Sequence, residues 1–153
     1  MSPVRRVLLA VLAAFLASAG AARAQNIQVT VVAILATDQN KEVDEKIKCV
    51  AEEVHKQDPK LTGFREARTT RKSLAVGEEE SFPLVEEKVA TIRINSGPDK
   101  DNWVKWTLKA PGHGEIQYSV RCGKCVPFRT SYQTKDNRRL ILVVLVKPCN
   151  KGK

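Results

Sequence analysis

The chain has 153 residues with 26 Lys or Arg against 17 Asp or Glu, a net charge of +9, and only 5% aromatic residues. That length suits one domain able to bury a real core. No segment after the first 24 residues is apolar for long enough to span a bilayer as a helix.

Arg5 and Arg6 give a short positive start, and Val7 to Ala22 is an uncharged stretch rich in Val, Leu and Ala. Ala22-Arg23-Ala24 then places small residues where a signal peptidase reads. Residues 1–24 are therefore expected to be a cleavable secretory signal, with residues 25–153 as the exported domain, periplasmic or extracellular. The apolar stretch falls short of the ~20 residues of a membrane span.

Ile27 to Ala36 alternates at Ile27, Val29, Val31, Ala33 and Leu35, with apolar residues between them, as in a strand buried on both faces. Thr37-Asp38-Gln39-Asn40 is a polar break. From Lys41 to Gln57 the period changes to that of a helix, with Val43, Ile47, Val50, Ala51 and Val54 on one face. Asp58-Pro59 ends it, since proline disfavours helical geometry in the residue before it.

After Gly63 the patterns are those of strands. Phe64 to Thr70 is a polar candidate, followed by Leu74 to Val76, Phe82 to Val85 and Val89 to Ile94. Ser96-Gly97-Pro98-Asp99 is a turn signal. Trp103 to Lys109 places Val104, Trp106 and Leu108 inward, which leaves Trp103 outside beside Lys105. Pro111-Gly112-His113-Gly114 turns the chain into Glu115 to Cys122. Phe128 to Thr134 follows, then a hairpin at Lys135-Asp136-Asn137-Arg138, and Leu140 to Val146 is apolar throughout. Long apolar strands at both ends should pair at a sheet centre, with the helix over one face. The expected fold is α+β: a mostly antiparallel sheet or sandwich of about seven strands with one main helix.

Four cysteines, Cys49, Cys122, Cys125 and Cys149, fall in the exported part, and in an oxidising compartment they read first as two disulfides. Cys49 points away from the helix's apolar stripe, and Cys149 lies on a short tail that can cross to it. Cys122-Gly123-Lys124-Cys125 has the span of a β-turn. The expected pairing is Cys49–Cys149 with Cys122–Cys125, and one in which Cys49 bonds to Cys122 stays open. A thiol-redox centre at Cys122/Cys125 would want the first thiol at a helix N-terminus, but a strand precedes it. A zinc site would want two close cysteine pairs, and only one is present.

No Gly-x-Ser-x-Gly, His-Glu-x-x-His or phosphate-binding glycine loop occurs. His55 falls on the polar side of the helix, and His113 sits alone on a loop. Glu78-Glu79-Glu80 and Glu86-Glu87 read as solvated strand edges. No catalytic constellation, metal site or cofactor is implied. Charge is polarised: from Asn102 onward, eleven basic residues stand against two acidic ones, Glu115 and Asp136. Such a field favours an anionic partner, whether polymer, membrane headgroup or acidic protein. Arg121, Lys124, Arg129, Arg138 and Arg139 are the candidate contacts, with Trp103 as an exposed anchor.

From Cys49-Val-Ala-Glu-Glu-Val-His-Lys to Gly63-Phe64, and from Cys122-Gly-Lys-Cys125 through Tyr132-Gln-Thr-Lys-Asp-Asn to Lys147-Pro-Cys149, the chain resembles a group of small exported bacterial proteins of planctomycete type that carry no assigned activity. The resemblance implies a secreted domain and transfers no functional residue. The leading expectation is a non-enzymatic exported binding domain. The alternatives are an accessory subunit of an envelope complex, docked through apolar contact at Trp103, and a zinc or thiol-redox protein using Cys122 and Cys125.

Overall fold

The computed structural model describes residues 26–147, so the expected signal segment and Cys149 lie outside the described residues. The fold is α+β, two four-stranded antiparallel sheets with one helix. The strands are β1 (Ile27–Thr37), β2 (Gly63–Leu74), β3 (Glu79–Pro83), β4 (Val89–Ser96), β5 (Trp103–Lys109), β6 (Glu115–Arg121), β7 (Val126–Gln133) and β8 (Arg139–Lys147). One sheet has the order β2-β1-β8-β7 and the other β3-β4-β5-β6. Helix α1 (Lys48–Gln57) follows a single 3-10 turn, Glu45–Ile47. Among the described residues no helix is long and apolar enough to cross a membrane.

The two apolar terminal strands pair with each other along Gln28–Ala36 and Arg139–Lys147, at the centre of the first sheet. Both of their faces are covered, which is why neither alternates cleanly in sequence. The odd positions of β1, from Ile27 to Leu35, and the even positions of β8, from Leu140 to Val146, meet Phe82, Ile92, Val104, Trp106 and Leu108 from the second sheet. On the outer side Ile34, Ala36, Ile141 and Val143 pack against Ile47, Ala51, Val54, Leu61 and Phe64. Helix α1 therefore covers the first sheet, called here the helix-covered sheet. Alternating exposure along β5 and β6 leaves the outer face of the second sheet to solvent, and it is called the open sheet.

Eight strands form where about seven were expected. The candidate Phe64–Thr70 extends to Leu74, because β2 pairs with β1 over its whole length with one bulge opposite Ala33/Ile34, while Ala75 and Val76 of the expected strand Leu74–Val76 lie outside it, Val76 in the turn to β3. A stretch as polar as Arg65–Ser73 serves as a strand because it is an edge with one neighbour. Its charge protects that edge against further pairing. Lys72 turns toward β3, with Nζ 3.2 Å from a Glu80 carboxylate oxygen and 5.6 Å from the Phe82 ring centroid.

The helix starts later than its periodicity suggests. Residues 41–44 are extended, and Val43 forms a parallel bridge with Phe64 and stands 39% exposed. Two backbone bonds hold them there: Asp44 N–H to Phe64 O at 3.0 Å and Phe64 N–H to Glu42 O at 2.8 Å. Asp44 then caps the 3-10 turn through its carboxylate to Lys46 N–H.

Candidate functional site

The open sheet places its exposed side chains in rows. Trp103 pairs with Arg121, Lys105 with Ser119 and Lys109 with Glu115, while Thr107, opposite Gln117, is buried and accepts a hydrogen bond from Asn95. Two rows along a strand are about 7 Å apart. Trp103 is 40% exposed, whereas Trp106, inward on the same strand, is 1% exposed and stacks on Tyr118 at 4.5 Å. The Arg121 guanidinium lies 5.6 Å from the Trp103 ring centroid, holding the indole from one side and presenting its charge beside it.

The Trp103 backbone is fixed by the preceding loop. The turn is Asp99–Asn102, three residues beyond the expected Ser96-Gly97-Pro98-Asp99 signal, since β4 continues to Ser96. The Asp99 carboxylate accepts from Asp101 N–H and Trp103 N–H, both at 2.9 Å, and Asn102 takes the left-handed φ of 64° that ends such a turn. Elsewhere on the face, Arg93 pairs with Glu79 at 3.7 Å and Lys109 with Glu115 at 3.2 Å. Among the described residues, Lys105 and Arg121 are in no ion pair.

The basic residues singled out from the sequence do not form one patch. Arg121 is on the open sheet, and Lys124 is exposed in the turn that follows. Arg129, on the outer side of the helix-covered sheet, pairs with Asp58 at the end of α1 at 3.5 Å. Arg138 pairs with Asp136 at 3.1 Å and lines a cleft with Arg65. Arg139 is half-buried opposite Ala36. Charge polarity along the chain is divided between two faces because β7 and β8 belong to the other sheet. Lys105 was visible beside Trp103 in the sequence. Its place in a row with Ser119 required the β5–β6 register.

Cys122 and Cys125 are not joined to each other. The expected four-residue turn is displaced by one: Lys124 N–H bonds Arg121 O at 3.2 Å, with Gly123 at φ 87° in the third position. Cys122 therefore turns toward the core, its Sγ 3.2 Å from Val146 O, while Cys125 is exposed beyond the turn. Cys49 is exposed on α1, as its helical position indicated. Cys149, its expected partner, lies outside the described residues. The Cys122/Cys125 segment connects β6 to β7, so in the chain neither thiol opens a helix. Among the described residues no group of three or more His, Cys, Asp or Glu is gathered to hold a metal.

His113 joins the sheets: its Nε2 accepts Ser131 N–H at 3.0 Å, and its ring meets Phe128 edge-on at 5.2 Å. Gly112 is required beside it, with φ 79° and a Cβ position only 2.6 Å from Ser131 Oγ. The glutamate runs have structural partners. Glu78 accepts Ala75 N–H at 2.8 Å, while Glu79 and Glu80 pair with Arg93 and Lys72.

Glu86 and Glu87 occupy a tight turn with φ of 50° and 62°, a conformation that favours Asn-Gly. The Glu86 carboxylate accepts from Lys135 N–H at 2.8 Å and from the Tyr132 hydroxyl, and the Lys88 ammonium lies 5.3 Å from the Tyr132 ring centroid. Those two bonds hold the Glu86 carboxyl below its ordinary value of 4.5, and the Tyr132 phenol is raised in turn by Glu86. This latch ties a turn of the open sheet to the β7–β8 hairpin.

Comparison with protein-family models, with curated proteins and with solved structures gives no match.

Proposed function

We propose that the chain is an exported, non-enzymatic binding domain that holds an acidic polysaccharide on its open sheet. The observation that carries this reading is Trp103, an exposed indole on the open sheet, with the Arg121 guanidinium 5.6 Å away and Lys105 in the next row. An indole plane suits the C–H face of a pyranose ring, cations suit uronate or sulfate groups, and Ser119 and Gln117 beside them suit sugar hydroxyls. A membrane surface would call for a cluster of exposed apolar groups, and this face offers two, Trp103 and Val89, at opposite ends of neighbouring antiparallel strands. Nucleic acid would call for a run of cations along its backbone, and this face leaves Lys105 and Arg121 outside ion pairs.

Trp103 and Trp106 are the only tryptophans, and Trp106 is buried, so a fluorescence change on titration reports Trp103. Polygalacturonate is expected to change that signal saturably and more weakly as salt rises. Charge reversal at Lys105 and Arg121 should weaken binding by about tenfold or more. Loss in Trp103→Ala together with indifference to salt would turn the reading to apolar docking within an envelope complex. Equal binding by all variants would refute it.

A further inference from the structure

Between α1 and the extended segment 41–44 lies a cleft of about 450 Å³, lined by no residue of the open sheet. It exists because residues 41–44 run beside Phe64 and do not continue the helix. Its floor is apolar: Phe64 and Ala51 are 4% and 3% exposed, and Val43, at 39%, forms one wall. Lys41 and Lys48 also line it, against one acidic residue, Glu52. Among the described residues, none of these three is in an ion pair.

His55 completes the lining, and its ring is held in place. Its Nδ1 meets Leu61 O at 2.7 Å, so Nδ1 carries the proton and Nε2 is left over. The polar group of Thr62 is turned away, donating to Asn40 O. An apolar floor with few polar groups around it is the layout of a small-molecule site, and this volume is in the usual range for one.

We infer that this cleft binds a small amphiphilic carboxylate, with its hydrocarbon body on Phe64, Ala51 and Val43 and its anionic head between Lys41 and Lys48. The head-group assignment rests on charge complementarity, two ammonium groups to one carboxylate in the lining. The body assignment rests on the apolar floor. A neutral alcohol of the same length would leave the excess positive charge of the lining uncompensated, and a bare anion such as phosphate would leave the floor uncovered.

The test uses the two histidines, since His55 lines the cleft and His113, in the β5–β6 loop and bonded to Ser131, does not. Octanoate is titrated into the protein while both imidazole proton resonances are followed. The expected result is a saturable shift of His55 with His113 unmoved. Lys41→Glu with Lys48→Glu should weaken binding by about tenfold or more, and octanol and phosphate should bind more weakly than octanoate. Ala51→Leu should remove the His55 shift by filling the floor, and Glu53→Gln, on the same helix outside the cleft, should leave it unchanged. Parallel movement of both histidines, no saturation of His55, or octanol binding as well as octanoate would each overturn the inference.

Discussion

The two sheets have four strands each and share one core, yet their outer faces have opposite fates. The helix-covered sheet puts Ile34, Ala36, Ile141 and Val143 under α1, and these side chains are at most 4% exposed. The open sheet puts Trp103, Lys105, Gln117, Ser119 and Arg121 in water. One sheet is finished by the chain's own helix. The other carries residues typical of a surface, plus one large aromatic that its own fold does not need. A sheet covered on both sides contributes stability, and a sheet covered on one side has a face free for recognition.

The sharpest way to break this contrast is to cut matched positions on the two outer faces. Ile141→Ala removes a fully buried side chain beneath α1 and should cost about 2–5 kcal/mol in denaturant unfolding. Gln117→Ala, on the open face, should stay within about 0.5 kcal/mol. Comparable losses would mean that the two faces do not differ as described.

The latch between the sheets offers smaller effects. Glu87 is exposed at φ 62°, so Glu87→Gly should raise stability by about 1 kcal/mol by relieving a left-handed conformation. Glu86 carries the contacts, and its folded carboxyl titrates below the ordinary 4.5. Its contribution is therefore fully present above that value and is lost as pH falls through the lower folded-state value. Glu86→Gln should flatten the acid limb of a stability–pH curve and leave neutral pH less affected. An unchanged acid limb would remove the latch from the account. The smallest effect concerns sulfur. Peptide mapping without reduction should place Cys122 and Cys125 in different cross-links or thiol states, because the turn sends one toward the core and the other outward.

Much of this layout was legible in the residues. The alternation with added apolar residues along Ile27–Ala36 and the unbroken apolar run Leu140–Val146 announced central strands, and the alternation around Trp106 announced which tryptophan would be buried. Other features depend on long-range pairing that local pattern does not contain. Val43 has helical spacing but is drawn beside Phe64 by backbone bonds that Asp44 and Glu42 make to Phe64, far along the chain. The grouping of Arg121 with Arg129, Arg138 and Arg139 followed their closeness in sequence. The chain crosses between sheets after Arg121, and that crossing separates them. The cleft beside α1 was invisible because it arises where the helix fails to begin.

The most direct test of the open face as the working surface is a backbone amide map of the protein during polygalacturonate titration. The shifts are expected to gather at Trp103, Lys105, Ser119 and Arg121, and to vanish in Trp103→Ala with Arg121→Glu. Shifts gathered instead at Arg129 and Arg139, on the helix-covered sheet, would contradict the account.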